Sequence, residues 1–157
     1  MRTDKWLEET LYNLWDNNFV DIPRTNVVLI TFGKRSKRQL GCIKHLKRPN
    51  TKKIGVKAID YGIADDKTIS LITISAYFKD ENIPDYIIRS TIAHELCHYA
   101  HGFSSPLPRM FNHPHKGGVI RKELFKRGLS NDYKISQKWI KANWLNYLKR
   151  YSVARIL

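Results

Sequence analysis

The sequence predicts an α+β fold, because its helical and strand-like segments occur in separate blocks along the chain. Helices are predicted where apolar residues recur every three or four positions, or where start and stop residues frame a segment: 4–19, 84–101, 118–128 and 135–151. Strands are predicted for four short runs between the first two helices: 26–32, 40–46, 54–61 and 68–75. We therefore expect a small mixed or antiparallel sheet of three to four strands, packed on the helix at 84–101 and flanked by the other helices.

Local signals set the boundaries of these elements. Gly33 ends the first strand, and the stretch RPNTKK forms the turn after the second. The fourth strand, TISLITIS, is rich in β-branched residues. Pro84 suits the start of a helix and Gly102 its end, while Gly128 ends the following helix. The last helix, 135–151, is basic and amphipathic.

Length and composition predict one domain over residues 1–157, with a core of about 5–130 and the C-terminal helix outside it. The chain has 157 residues and is 42% hydrophobic, which suits a single core. It has no run of about 18 apolar residues, and its first residues lack the apolar region of a secretory signal. Cys42 and Cys97 are far apart and form no CxxC pair. We expect a cytoplasmic protein with no membrane partner, and we favour a monomer.

Charge is concentrated in one part of the chain. Lys and Arg total 28 against 14 Asp and Glu, giving a net charge of +14. Residues 33–59 contain no acid and ten basic side chains: Lys34, Arg35, Lys37, Arg38, Lys44, Lys47, Arg48, Lys52, Lys53 and Lys57. Residues 60–85 reverse the balance, with six acids and two lysines. Such a run predicts contact with a polyanion, and we take the first nine as candidate DNA contacts; the alternative is a solvated surface.

The segment STIAHELCHYAHG, residues 90–102, contains an HExxH motif on the predicted helix. His94 and His98 lie one turn apart, so both imidazoles can reach one metal ion. Glu95 follows the first histidine and is placed to take a proton from water as a general base. The opposite face of the helix is apolar and should pack on the sheet. Cys97 points away from the histidine pair and is expected to be a packing residue.

A catalytic zinc site needs a third protein ligand, and this segment does not supply it. His101 lies about 10 Å along the helix axis from His94, so we expect it to have a capping or supporting role. Glu123 lies on the following helix, and His113 and His115 lie in the loop before that helix. All three of these downstream residues are candidates for the third ligand.

The segments IIRSTIAHELCHYAHG and HPHKGGVIRKELFKRGL together resemble the SprT-like metallopeptidase domain, the family that includes the Spartan proteases. The resemblance implies a zincin-like fold and one Zn2+ ion held by His94, His98 and His115, with Glu95 as the catalytic residue. It also implies an endopeptidase acting on DNA-associated proteins, including proteins crosslinked to DNA. One departure is Lys116, where the family has glycine, and it keeps His113 open as the third ligand.

The expected mechanism follows from this set of residues. Zinc held by three imidazoles lowers the pKa of its water to about 7, and Glu95 moves the proton to the leaving amine. Tyr77, His113 and Arg121 are candidate donors to the oxyanion. Strand 68–75 is expected to lie at a sheet edge and pair with substrate backbone; an interior position is the alternative. The alternative functions are a nucleic-acid-binding module with a structural zinc site and a zinc hydrolase of non-peptide substrates.

Overall fold

The computed structural model describes residues 1–46 and 68–154. Its helices are α1 (Asp4–Asn18), α2 (Asp85–Ala100), α3 (Val119–Lys126) and α4 (Ser130–Ala154). Its strands are β1 (Val27–Phe32), β2 (Gly41–Leu46) and β3 (Ile69–Ile74), and short 3-10 turns cover Ala76–Lys79 and Lys116–Gly118. The α+β prediction is confirmed at this level, and the predicted strand at 54–61 lies outside the described residues. No described helix is both long and apolar enough to cross a membrane.

The three strands form a mixed sheet in the order β1-β3-β2. β1 runs parallel to β3, with Val27 opposite Ile69, and β2 runs antiparallel to β3, with Gly41 opposite Ile74. The expectation that strand 68–75 is an edge strand is therefore wrong. β3 is central because it pairs with β1 along one edge and with β2 along the other. Four of its six side chains are buried, as expected for a strand covered on both faces of the sheet. Within the described ranges, β2 lies at one edge of the sheet.

The hydrophobic core lies between the sheet and the first two helices. α1 packs on β1 and buries Leu7, Leu11 and Leu14. α2 packs on β2 and β3. The two helices meet where the rings of Trp15 and Tyr99 lie edge to face, 5.1 Å apart.

α2 is enclosed on more sides than its sequence pattern predicts. Ten of its 16 residues are buried, including the polar Glu95 and His98. α3 and α4 pack against α2 in addition to α1 and the sheet, so most of the helix surface is covered. α4 begins at Ser130, five residues earlier than predicted, because Gly128 adopts a positive φ of 75° that lets the chain turn directly from α3 into α4.

The start of α2 is held by the buried side chain of Arg2. Its guanidinium donates to the carbonyl oxygens of Phe78, Asp80 and Ile83 at 2.5–3.0 Å. It also donates to the carboxylate of Asp85 in the first turn of α2. Because a buried cation is costly unless its donors are satisfied, this set of bonds fixes where α2 begins relative to the N-terminus.

Candidate metal centre

Three histidine side chains converge beside α2. His94 and His98 lie one turn apart on the helix, and His115 comes from the loop before α3. The Nε2 atom of His98 lies 3.1 Å from that of His94 and 3.0 Å from that of His115. The third pair, His94 and His115, has its Nε2 atoms 3.2 Å apart. The structure thus brings together the three histidines that the resemblance implied as ligands.

The loop that carries His115 folds back over α2 for a local reason. Gly102 ends the helix with a φ of 79°, a conformation that favours glycine. A Cβ atom at this position would lie 2.3 Å from the carbonyl oxygen of Pro108, so only glycine allows the close approach. The backbone N–H of Met110 then donates to the carbonyl of His101 at 2.9 Å. These contacts return the chain toward the helix before it reaches His115.

The three nitrogens fit a single metal ion. An ion bound tetrahedrally at about 2.0–2.1 Å from each nitrogen separates the nitrogens by about 3.4 Å, close to the spacing observed here. Burial and the neighbouring imidazoles lower the pKa of His94 to about 4 and that of His98 to about 3. Both rings are therefore neutral at pH 7, which is the state that binds metals. The three-histidine group could hold a metal ion.

Glu95 lies directly after the first ligand histidine in sequence and lines the same cleft. Its side chain is buried, and this burial raises its pKa to about 8. A divalent cation beside the carboxylate would lower that value. Gly41 of β2 passes directly over it: a Cβ at this position would lie 3.0 Å from Oε1 of Glu95 and 2.7 Å from the methyl group of Thr91. Glycine is needed here so that the strand can pass this close to the carboxylate.

The remaining candidate ligands lie elsewhere. His101 is buried, and its Nε2 lies 3.3 Å from Oε2 of Glu123. Burial would raise the pKa of Glu123, but the contact with His101 and the guanidinium of Arg127 outweigh burial and lower it. Glu123 therefore interacts with His101 and Arg127 and lies outside the histidine group. His113 is exposed and is likewise outside that group.

Arg127 extends this second polar cluster to the end of α1. It donates from Nε to Glu123 at 2.8 Å and from Nη1 to the carbonyl of Asn18 at 2.9 Å. Its guanidinium also bonds both carboxylate oxygens of Asp21, at 2.6 and 3.1 Å. The cluster holds α3, and hence the segment just after His115, against the end of α1. The only sequence signal for it is the four-residue spacing of Glu123 and Arg127.

The histidines and Glu95 open into a cleft of about 540 Å3. β2 and the preceding residues 38–40 form one wall, and the other walls come from α2, α3, α4 and the loop at 103–115. α4 contributes Tyr133 and Ile140, residues to which the sequence assigned no role. Among the described residues that line the cleft, Glu95 is the only acidic side chain and Arg38 is the only Lys or Arg. Tyr77, a candidate oxyanion donor, is instead buried against Trp144 and away from the cleft lining.

One residue of the described part of the basic run, Arg38, lines this cleft. Lys34, Arg35, Lys37 and Arg38 are exposed in the loop between β1 and β2, and Lys44 is exposed on β2. The indole N–H of Trp144 on α4 donates to the carbonyl of Lys37 at 2.9 Å, which holds the loop against that helix. The other predicted contacts, Lys47, Arg48, Lys52 and Lys53, lie outside the described residues.

Comparison with known proteins finds no match: no family model, no curated protein and no solved structure matches this chain. The SprT-like resemblance therefore depends on the HExxH segment, the downstream histidine and the helix after it.

Separate replacement of His115 and His113 tests which of these two loop histidines binds the metal. His115→Ala should weaken Zn2+ binding by more than about a hundredfold, since losing even an outer partner of a ligand costs about 10- to 100-fold. His113→Ala is the matched control and should leave affinity within about twofold, because its side chain lies outside the group. Competition with a chromophoric chelator measures both. A larger loss in the His113 variant would show that the ligand assignment is wrong.

Proposed function

We propose that the protein is a zinc-dependent endopeptidase of the SprT-like type, with a zincin-like active site. One observation supports the proposal. The imidazoles of His94 and His98 on α2 and of His115 converge on a single point, and the buried carboxylate of Glu95 on α2 opens into the same cleft. Three protein donors leave a position for water or substrate, whereas structural zinc sites have four protein ligands. Among the residues described, no fourth donor joins the histidine group. This favours an enzyme over the structural-zinc alternative.

His94, His98 and His115 would hold the ion. Zinc is the metal proposed because three neutral imidazoles are a common catalytic zinc ligand set. When bound, zinc supplies a Lewis acid that polarises a carbonyl and lowers the pKa of water to about 7.

Glu95 supplies the proton transfers. Its place beside the first ligand histidine allows it to take a proton from the attacking water and to give it to the leaving amine. Its burial beneath Gly41 limits the positions its carboxylate can adopt. Burial also leaves few waters to compete for the carboxylate, which favours transfer within the cleft.

The substrate is aligned by β2 in this proposal. Leu40, Cys42 and Ile43 line the cleft, and β2 lies at an edge of the sheet within the described ranges. An extended peptide that pairs with this strand would pass over α2 with its backbone near the three histidines. β2 thus takes the role that the sequence assigned to strand 68–75.

DNA-associated proteins are the proposed substrates. The exposed basic loop at 34–38 reaches the end of the cleft through Arg38. A duplex or single strand held on this loop would bring an attached protein to the cleft mouth. α4 has the same sign of charge, with five basic residues and one acid over Ser130–Ala154.

Glu95→Gln tests the peptidase mechanism. Cleavage of a denatured protein by the zinc-loaded chain should fall by at least about a hundredfold, because general acid–base catalysis contributes about 10²–10⁴. Glu9→Gln is the matched control, with the same change on the exposed surface of α1, and should retain activity. Gel-based cleavage rates and bound zinc are measured for each variant. Full cleavage by a zinc-loaded Glu95→Gln protein would remove Glu95 from the mechanism.

A second experiment tests the DNA-binding surface by comparing two variants that have the same net charge. One variant replaces three loop residues and the other three exposed basic residues of α3 with alanine: Lys34, Lys37 and Arg38 against Arg121, Lys122 and Lys126. The loop variant should weaken DNA binding and lower the slope of log affinity against log salt by about 3, one unit for each phosphate that the protein no longer neutralises. Fluorescence anisotropy at several salt concentrations measures this slope for single- and double-stranded oligonucleotides. Equal weakening in both variants would place the DNA-binding surface elsewhere.

A further inference from the structure

We propose that the space between α2 and α4 is a side-chain pocket that selects a bulky aliphatic residue directly after the cleaved bond. Four residues define this α4 pocket: Ile87 and Thr91 of α2, and Tyr133 and Ile140 of α4. The inference rests on the proposed peptidase function and names the substrate class of the same cleft.

Among the described residues, the walls of the α4 pocket carry no charged side chain. Three uncharged polar residues line this side of the cleft beside the four defining residues: Ser90 of α2 and Ser136 and Gln137 of α4. Ile87 is fully buried beneath the cleft, while Tyr133 and Ile140 are half-buried and line it. Thr91 uses its hydroxyl to bond the carbonyl of Ile87 at 2.8 Å, which leaves its methyl group beside Gly41. Transfer of an aliphatic side chain from water into such a pocket is favourable. A carboxylate or ammonium group would lose its hydration without gaining an oppositely charged partner among these lining residues.

The α4 pocket is formed in advance of any ligand. The hydroxyl of Ser136 donates to the carbonyl of Tyr86 at 3.0 Å, joining the middle of the pocket wall to the start of α2. Arg89 and Asp132 form an ion pair at 2.5 Å one turn away. Because the two helices are joined at both points, little ordering of side chains opposes binding.

The distance from the histidine group suits a side chain next to the reacting bond. Thr91 and Ile87 precede His94 by three and seven residues, which is about 4.5 and 10.5 Å along the helix axis. An extended chain advances about 3.3 Å per residue, so the residue adjacent to a bond at the histidines lies close to the level of Thr91, and Ile87 forms the far wall of the pocket.

The direction of β2 decides which side of the bond the α4 pocket serves. β2 begins at Gly41, above Thr91, and proceeds to His45, which is opposite Ser70. Ser70 in turn bonds the carbonyl of Ser104, at the other end of the cleft. A peptide pairing antiparallel to β2, the slightly more stable arrangement, runs from Ser104 toward α4. The residue after the cleaved bond therefore enters the α4 pocket.

The test measures binding and cleavage separately on the full chain loaded with Zn2+. Glu95→Gln protein is titrated with fluorescent peptides that differ at one position, where Leu is replaced by Ala or Asp. Leu should bind at least about tenfold tighter than Ala, since a methylene in a fitted pocket is worth about tenfold or more. Ile140→Glu, added to this protein, should abolish the preference. Leu145→Glu is the matched control because it makes the same change on the same helix at an exposed position.

A third variant keeps the test valid if the Ile140→Glu protein does not fold. Ile140→Ala enlarges the α4 pocket without adding charge, and it should shift the preference from Leu toward Phe, measured with a fourth peptide that carries Phe at the same position. Mass spectrometry of peptides cut by the wild-type chain then locates the preferred residue relative to the bond.

Equal binding of the three peptides, or a Leu preference that survives Ile140→Glu, would overturn the pocket assignment. A preference for Leu before the cleaved bond would overturn the direction. A Leu preference in binding without cleavage by the wild-type chain would instead reject the peptidase proposal and leave the pocket in place.

Discussion

The packing of α2 is the constraint on which the rest of the structure depends. The helix must bury its apolar side chains against the sheet and still present two imidazoles and a carboxylate to one cleft. Arg2 holds its beginning, and Gly102 turns the chain at its end so that the following loop can return. With both ends fixed, His94 and His98 have defined positions, and the loop can deliver a third imidazole to them.

The ring nitrogens of the histidine group lack enough hydrogen-bond donors among themselves, and a bound cation would satisfy their lone pairs. Three Nε2 atoms lie within 3.2 Å of one another, and each neutral imidazole carries only one N–H for its two nitrogens. The rings therefore cannot all satisfy one another at this point. The other ring nitrogen of His98, Nδ1, is buried without a hydrogen-bond partner among the described residues. Folding brings these costs together in one place, which is typical of a functional site and unusual in a core.

The sequence predicted the elements better than their arrangement. Helical spacing was enough to place His94, Glu95 and His98 together, because all three are on one helix. His115 needed the resemblance as well, since it lies in a long loop after Gly102 and periodicity says nothing about the path of that loop. The central position of β3 was missed because an Ile- and Thr-rich run suits either an edge or an interior strand.

The role of α4 was missed for a different reason. Its apolar stripe predicts burial but does not identify the surface that it covers. Interactions between residues distant in sequence decide that: Ser136 bonds Tyr86, and Trp144 bonds the loop at Lys37. His101 and Glu123 likewise meet only in three dimensions, and their pairing explains why neither belongs to the histidine group.

X-ray absorption at the zinc edge of the metal-loaded protein tests the central claim most directly. If His94, His98 and His115 form the site, the spectrum will show imidazole scattering from three nitrogens at about 2.0–2.1 Å and one further light atom. A sulfur scatterer at about 2.3 Å, or fewer than three imidazoles per zinc, would contradict the assignment. The first result would establish an open three-histidine metal centre, and the second would place the ion elsewhere in the chain.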